Sequence, residues 1–161
     1  MPRRLPLVEL ALAAAVVVLV LAALSRCGGA GPTGSSLRAS WTRTPGVLNP
    51  SVTEASLGAT ICTRGWTRTI RPATSYTSAL ELRQMREYGA PGSPSEYQED
   101  HLISLELGGH PTDPRNLWPE KRPRAEEVDS LENDLNRRIC DGSLSLTDAQ
   151  RKIAEVKHDT G

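Results

Sequence analysis

The 161-residue chain contains no phenylalanine, and its large aromatics are three tryptophans and three tyrosines. A core built from it must rest on Leu, Ile and Val with those few rings, so little aromatic burial is on offer. Charge of either sign is not in excess: 19 Lys and Arg balance 19 Asp and Glu. That excludes a chain that coats nucleic acid by bulk attraction, although local runs such as Lys121-Arg122-Pro123-Arg124 remain. No Cys-x-x-Cys pair occurs, which disfavours a structural zinc. The P-loop, Gly-x-Ser-x-Gly and Rossmann signatures are missing, and so is any internal repeat.

A long apolar run occurs once. Leu10 to Leu24 is uninterrupted, but its 15 residues fall short of the ~20 that span a bilayer. Extending it backwards meets Glu9, costly in hydrocarbon. With Arg3 and Arg4 ahead of it, the run reads as a secretory signal peptide or an uncleaved signal anchor over residues 1–30. The anchor form implies membrane contact through this segment; either form places the rest of the chain outside the cytoplasm. Gly28-Gly29-Ala30 offers small residues for a cut near Ala30. Cys27 invites lipidation, for which Arg26 is a poor predecessor. Residues 31–50, rich in Gly, Ser, Thr and Pro, read as a flexible linker with Trp41 docking, ahead of a domain over 51–161. The 131 residues after Ala30 suffice for one core and hold 16 Lys and Arg against 18 Asp and Glu, a formal charge of −2.

Two of the three cysteines, Cys62 and Cys140, fall in that domain. Outside the reducing cytosol their simplest use is a disulfide. It closes a loop of about 79 residues, which the chain-entropy account values at about 4–5 kcal/mol. Neither cysteine has a neighbouring histidine to make it a catalytic thiol.

Along the domain, β-branched residues around Gly65-Trp66 suggest a short strand or hairpin over 60–70. Leu80, Met85 and Tyr88 form an imperfect helical stripe that stops at Gly89. Pro123 suits a first helical turn, and Val128, Leu131, Leu135 and Ile139 recur at spacings of three and four, giving an amphipathic helix that ends near Cys140-Asp141-Gly142. A last helix begins at 146–148, with Thr147 as its cap and Ala149, Ile153 and Val156 inside.

Between these helices lies YQEDHLISLELGGHPTDPRNLWPE, residues 97–120. Residues 97–107 can form one strand, Gly108-Gly109 breaks it, and Asn116-Leu117-Trp118 can return as a second. Two adjacent ionisable residues, Asp100 and His101, open the apolar part. Buried polar groups must be paired, so this pair is either a capped structural feature or chemistry.

The run EDHLISLELGG…NLWPE resembles the HNH, or ββα-metal, nuclease superfamily. More narrowly, it is similar to small exported bacterial HNH-like proteins with a DHLIPLELGG…DPRNLWPE pattern. Those relatives carry a Cys-Gly-Trp segment upstream and a Cys-containing helix downstream, as Cys62 to Trp66 and Cys140 do here. The resemblance implies an α+β fold, a small ββα-metal unit with flanking helices, stapled by the disulfide. It implies hydrolysis of DNA or RNA phosphodiesters with a divalent metal, Mg²⁺ or Mn²⁺. It assigns His101 as the base that takes a proton from water, Asn116 as the amide that fixes the loop beside it, and Asp100 as a hard oxygen ligand.

The match departs at the third position, an Asn or His near the start of the helix. Here KRPRAEEVD supplies neither, leaving Glu126 and Glu127 as substitute ligands, then Asp129, with Asn133 a turn further on. Arg124 and Arg115 are candidates for phosphate contact. Ser104 stands where the relatives often have Pro, and His110 reads as an exposed loop residue. Alternation on an ideal strand sends Asp100 and His101 to opposite faces. A structural account of the same residues exists: a satisfied core-edge histidine, a turn-capping Asp and an Asx-type loop at Asn116. The missing ligand and slightly acidic balance motivate a rival reading, a degenerate ββα module that binds nucleic acid or a cell-envelope partner without catalysis.

Overall fold

The computed structural model describes residues 37–160, so the apolar N-terminal run, Cys27 and the start of the linker lie outside the described residues. The described chain is α+β. A two-stranded antiparallel sheet pairs β1 (Tyr97–His101) with β2 (Leu117–Lys121). The helices are α1 (Trp66–Ile70), α2 (Thr74–Tyr88), α3 (Arg122–Cys140) and α4 (Leu146–Thr160), with short 3₁₀ turns between. No helix among the described residues is long and apolar enough to cross a membrane.

The register sets Gln98 opposite Glu120, Asp100 opposite Trp118 and His101 opposite Leu117. Period-two alternation then puts Asp100, Trp118 and Glu120 on one face and Glu99, His101 and Leu117 on the other. Both α2 and α3 contact the two strands, and α4 packs on α3. The core gathers Leu102, Leu107, Trp118, Leu135 and Ile153, all without solvent exposure. A disulfide joins Cys62 to Cys140, whose Cα atoms are 5.5 Å apart, tying the turn before α1 to the end of α3.

The helices follow the sequence signals closely. α2 stops where Gly89 turns to φ +63°, and α3 carries Pro123 in its first turn with Val128, Leu135 and Ile139 buried. α4 is capped by Ser145 rather than Thr147: the Ser145 hydroxyl accepts from the Asp148 amide and donates to its carboxylate. The cap has to precede the first helical residue, and Thr147 is already inside.

Three expectations are corrected. The first strand ends at His101 instead of running to 107, and Leu105–Leu107 is a 3₁₀ turn. The reason is local: the Ile103 N–H and C=O, which a longer strand would spend on the ladder, are both taken by the Asn116 side chain. Residues 60–70 form turns and α1, not a strand. Their amides bond locally, Cys62 to Leu57, Thr63 to Thr60 and Trp66 to Thr63, and Gly65 sits at φ +84°. Finally, residues 37–50 are not a free linker. Ala39, Thr44 and Asn49 are buried. Gly46 donates to Arg115, Asn49 to Gly108, and His110 to Val47, while Leu48 bridges to Gly109. The compact unit therefore begins ahead of residue 51.

Candidate functional site

The loop after β1 is organised by one side chain. Asn116, fully buried at the end of the Pro114–Asn116 turn, accepts from the Ile103 amide at 3.0 Å and donates to the carbonyls of Ile103 and His110, both at 3.0 Å. A single amide thus closes both ends of the loop. Gly109 has to be glycine, since a Cβ there would stand 1.8 Å from the Ile103 carbonyl oxygen. Gly108, at φ +82°, makes the turn into it. Asn116 thereby ties Ile103, two residues after His101, to His110.

His101 is 5 % exposed. Its Nε2 faces the Pro111 carbonyl at 3.0 Å, so Nε2 carries the proton and the lone pair is on Nδ1, because a carbonyl only accepts. Burial first lowers its pKa below the ordinary value, against the pull of that carbonyl and of Asp100, so the ring is neutral at pH 7. A neutral imidazole oriented by a backbone carbonyl is the form a proton acceptor needs.

Asp100 faces the other way and meets a residue that the sequence argument missed. The Lys157 ammonium, from the last turns of α4, is fully buried. It donates to Asp100 Oδ2 at 2.6 Å and to the His101 carbonyl at 2.7 Å. Glu132 Oε1 lies 2.9 Å away but off the line of a hydrogen bond, so that contact is an ion pair; Glu120 Oε2 follows at 3.5 Å. Four oxygens from β1, β2 and α3 therefore surround one fixed cation.

The electrostatics of this cage are set by burial. Desolvation works against the Lys157 charge, but Asp100, Glu132 and Glu120 outweigh it and hold the amine protonated well above its usual range. Burial also pushes Asp100 up, yet Lys157 and its hydrogen bonds win and hold that carboxyl at about 2. Glu120 and Glu132 go the opposite way: burial pushes them up to about 8 and about 7, Lys157 opposing and Asp100 adding to the rise. At neutral pH the cage is near balance, with one ammonium, one full carboxylate and two carboxyls holding protons much of the time.

That arrangement does not fit a divalent ion. The one sequence-assigned ligand inside the fold, Asp100, is committed to Lys157. Glu126 and Glu127 are exposed on α3, and Glu127 pairs with Arg124 at 3.1 Å. Among the described residues no group of three or more His, Cys, Asp or Glu side chains is disposed to hold a metal. Further along α3, Glu132 is buried, while Asp129 and Asn133 are exposed.

Those three line a polar cleft of about 200 Å³ with Arg71 of the α1 end, Ser104 and Glu106. Ser104 Oγ is buried there without a partner. The phosphate candidates lie elsewhere: Arg115 is engaged by Asp113 at 2.6 Å, and Arg124 by Glu127 and by Thr160 Oγ1. His110 is half-buried rather than a free loop residue, its Nδ1 accepting from the Thr112 and Asp113 amides.

Comparison with protein-family models, with curated proteins and with solved structures finds no match to this chain. The geometry is left to carry the functional argument.

Proposed function

We propose that this is an exported, disulfide-stapled, HNH-like ββα module that binds nucleic acid and has exchanged the metal of a hydrolytic site for an internal ammonium. The observation that carries this is Lys157 seated among Asp100, Glu132, Glu120 and the His101 carbonyl. A buried, hydrogen-bonded cation satisfies the carboxylate that would otherwise bind Mg²⁺ or Mn²⁺, and removing either partner leaves the other charged and unpaired. The order of β1, loop, Asn116, β2 and α3 supports descent from a ββα unit. The disulfide supports an oxidising compartment, in line with the N-terminal apolar run.

A second reading, phosphodiester hydrolysis, is favoured by one observation: His101 is neutral, held on the Pro111 carbonyl, with its lone pair on Nδ1. In that reading His101 accepts a proton from water and Asn116 keeps it in place. One experiment separates the two. The oxidised chain is incubated with supercoiled plasmid and with RNA, each with Mg²⁺, Mn²⁺ or EDTA, while binding is followed by gel shift. Binding without strand breaks in every metal is the expected result. Nicking that vanishes in His101→Ala would establish the hydrolytic reading instead.

A further inference from the structure

On the N-terminal side of the described chain lies a groove of about 600 Å³, lined by Arg38, Ser40, Thr42, Arg43, Arg86 and Tyr88. Its three guanidinium groups are exposed, and no salt bridge ties any of them to a carboxylate of the described residues. Arg43 lies over the Tyr88 ring, 5.6 Å from its centroid. The Tyr88 hydroxyl is fixed by Thr44 Oγ1 at 2.6 Å and the Ser40 amide at 3.1 Å, so the floor of the groove is rigid. Glu87 also borders it, but that carboxylate is drawn 3.7 Å from Arg83.

Trp41, between two of the lining residues, is 56 % exposed. One face of its indole stacks on His158, centroids 3.6 Å apart and planes 19° from parallel. His158 is itself buried, with Nδ1 on the Ala39 carbonyl at 3.0 Å. The ring is therefore held from below and open above, a platform whose ordering cost is already met by the fold.

We infer that this groove binds single-stranded nucleic acid, phosphates on Arg38, Arg43 and Arg86 and a base on the free face of Trp41. Cations alone would accept any polyanion; a supported, half-exposed indole next in sequence to the lining residues Ser40 and Thr42 selects a chain that also has flat rings. Duplex is disfavoured because its bases are stacked and withheld from the indole. The overall charge is neutral, so affinity must come from this local arrangement rather than from the whole surface. The inference rests on the nucleic-acid reading above and adds the surface and the strand state.

The test uses the full oxidised chain and fluorescence anisotropy with a labelled oligothymidylate of about 12 nucleotides, within the range such sites cover. The same-length duplex is the second probe, and inorganic polyphosphate is the competitor. Expected is salt-sensitive binding of the single strand that weakens about tenfold in Trp41→Ala and at least as much in Arg38→Glu/Arg86→Glu, both exposed changes whose folding is checked by thermal melting. Polyphosphate should compete poorly. Single-strand binding unchanged in both variants would overturn this groove while leaving the nucleic-acid reading intact. Preference for duplex, or equal competition by polyphosphate, would overturn the stacking role. Failure to bind either oligonucleotide would remove both the inference and the reading beneath it.

Discussion

Lys157 Nζ lies 2.6 Å from Asp100 Oδ2, across 57 residues of sequence, and the lysine has no solvent exposure. A charge placed this deep is stable only because its partners arrive with it. The pair links β1 to the last turns of the chain, so the C-terminal helix is part of the site and not an appendage.

Replacing Lys157 by Met removes the cation and leaves Asp100 beside two buried carboxyls. A loss of about 3–5 kcal/mol is expected, the cost of leaving a buried charge uncompensated. Lys157→Ala adds a further expectation, because it vacates the space among Asp100, Glu120 and Glu132. The melting temperature of that variant should rise with Mn²⁺, while the parent protein stays unmoved. If Mn²⁺ shifted both equally, the idea that the ammonium stands in for a divalent ion would be wrong.

The buried carboxyls give the protein a stability that declines with pH. Glu120 and Glu99 are each pushed up to about 8 and Glu132 to about 7, in every case by burial first. The folded chain therefore retains protons that the unfolded chain releases above about pH 4.5, and unfolding becomes easier as pH rises from there to about 8. Asp100, held at about 2, acts in the opposite sense and loses its contribution only below about pH 4. Stability measured by urea unfolding should be highest near about pH 5 and lower at about pH 8. Glu120→Gln should flatten the curve; an equally steep curve in that variant would move the proton elsewhere.

Cys62→Ser should cost about 4–5 kcal/mol, the loop-closure value for a bridge of this span. Few aromatics are present to offset such a loss. Reducing the parent protein should give the same midpoint as the variant, measured by guanidinium titration. A reduced protein as stable as the oxidised one would contradict this.

Asn116→Ala strips three hydrogen bonds from the loop, two of them buried, and takes the side-chain partner from the Ile103 amide and from two carbonyls. A cost of about 2–4 kcal/mol follows from exposing such groups to no partner. Limited proteolysis should then cut within residues 108–113 before any helix is attacked. Gly109→Ala should fail more completely, since its Cβ would meet the Ile103 carbonyl at 1.8 Å and backbone cannot move aside cheaply. A soluble, normally melting Gly109→Ala would show that the loop is not closed in this way.

The sequence by itself determined the features that are local or covalent. Gly108-Gly109 and Asn116 marked the loop because glycine geometry and a bridging amide act over a few residues. Val128, Leu135 and Ile139 marked α3 because a helix repeats every 3.6 residues. Two cysteines in the domain left one natural pairing. What the tertiary structure alone decided was where the charges go. Lys157 stands in register with Ala149 and Ile153 on the buried stripe of α4, a signal present in the spacing but easily taken for a solvated lysine, since an isolated charge has no place in a core. Glu126 and Glu127 looked like ligands from their position, yet the rotation of α3 leaves both exposed and buries Glu132 beside Val128 and Leu135 instead. Residues 37–50 read as a tether because their pairing with Gly108, His110 and Arg115 is non-local. Long-range neutralisation has no sequence period, and so only the packed fold reveals that Asp100 belongs to an ammonium.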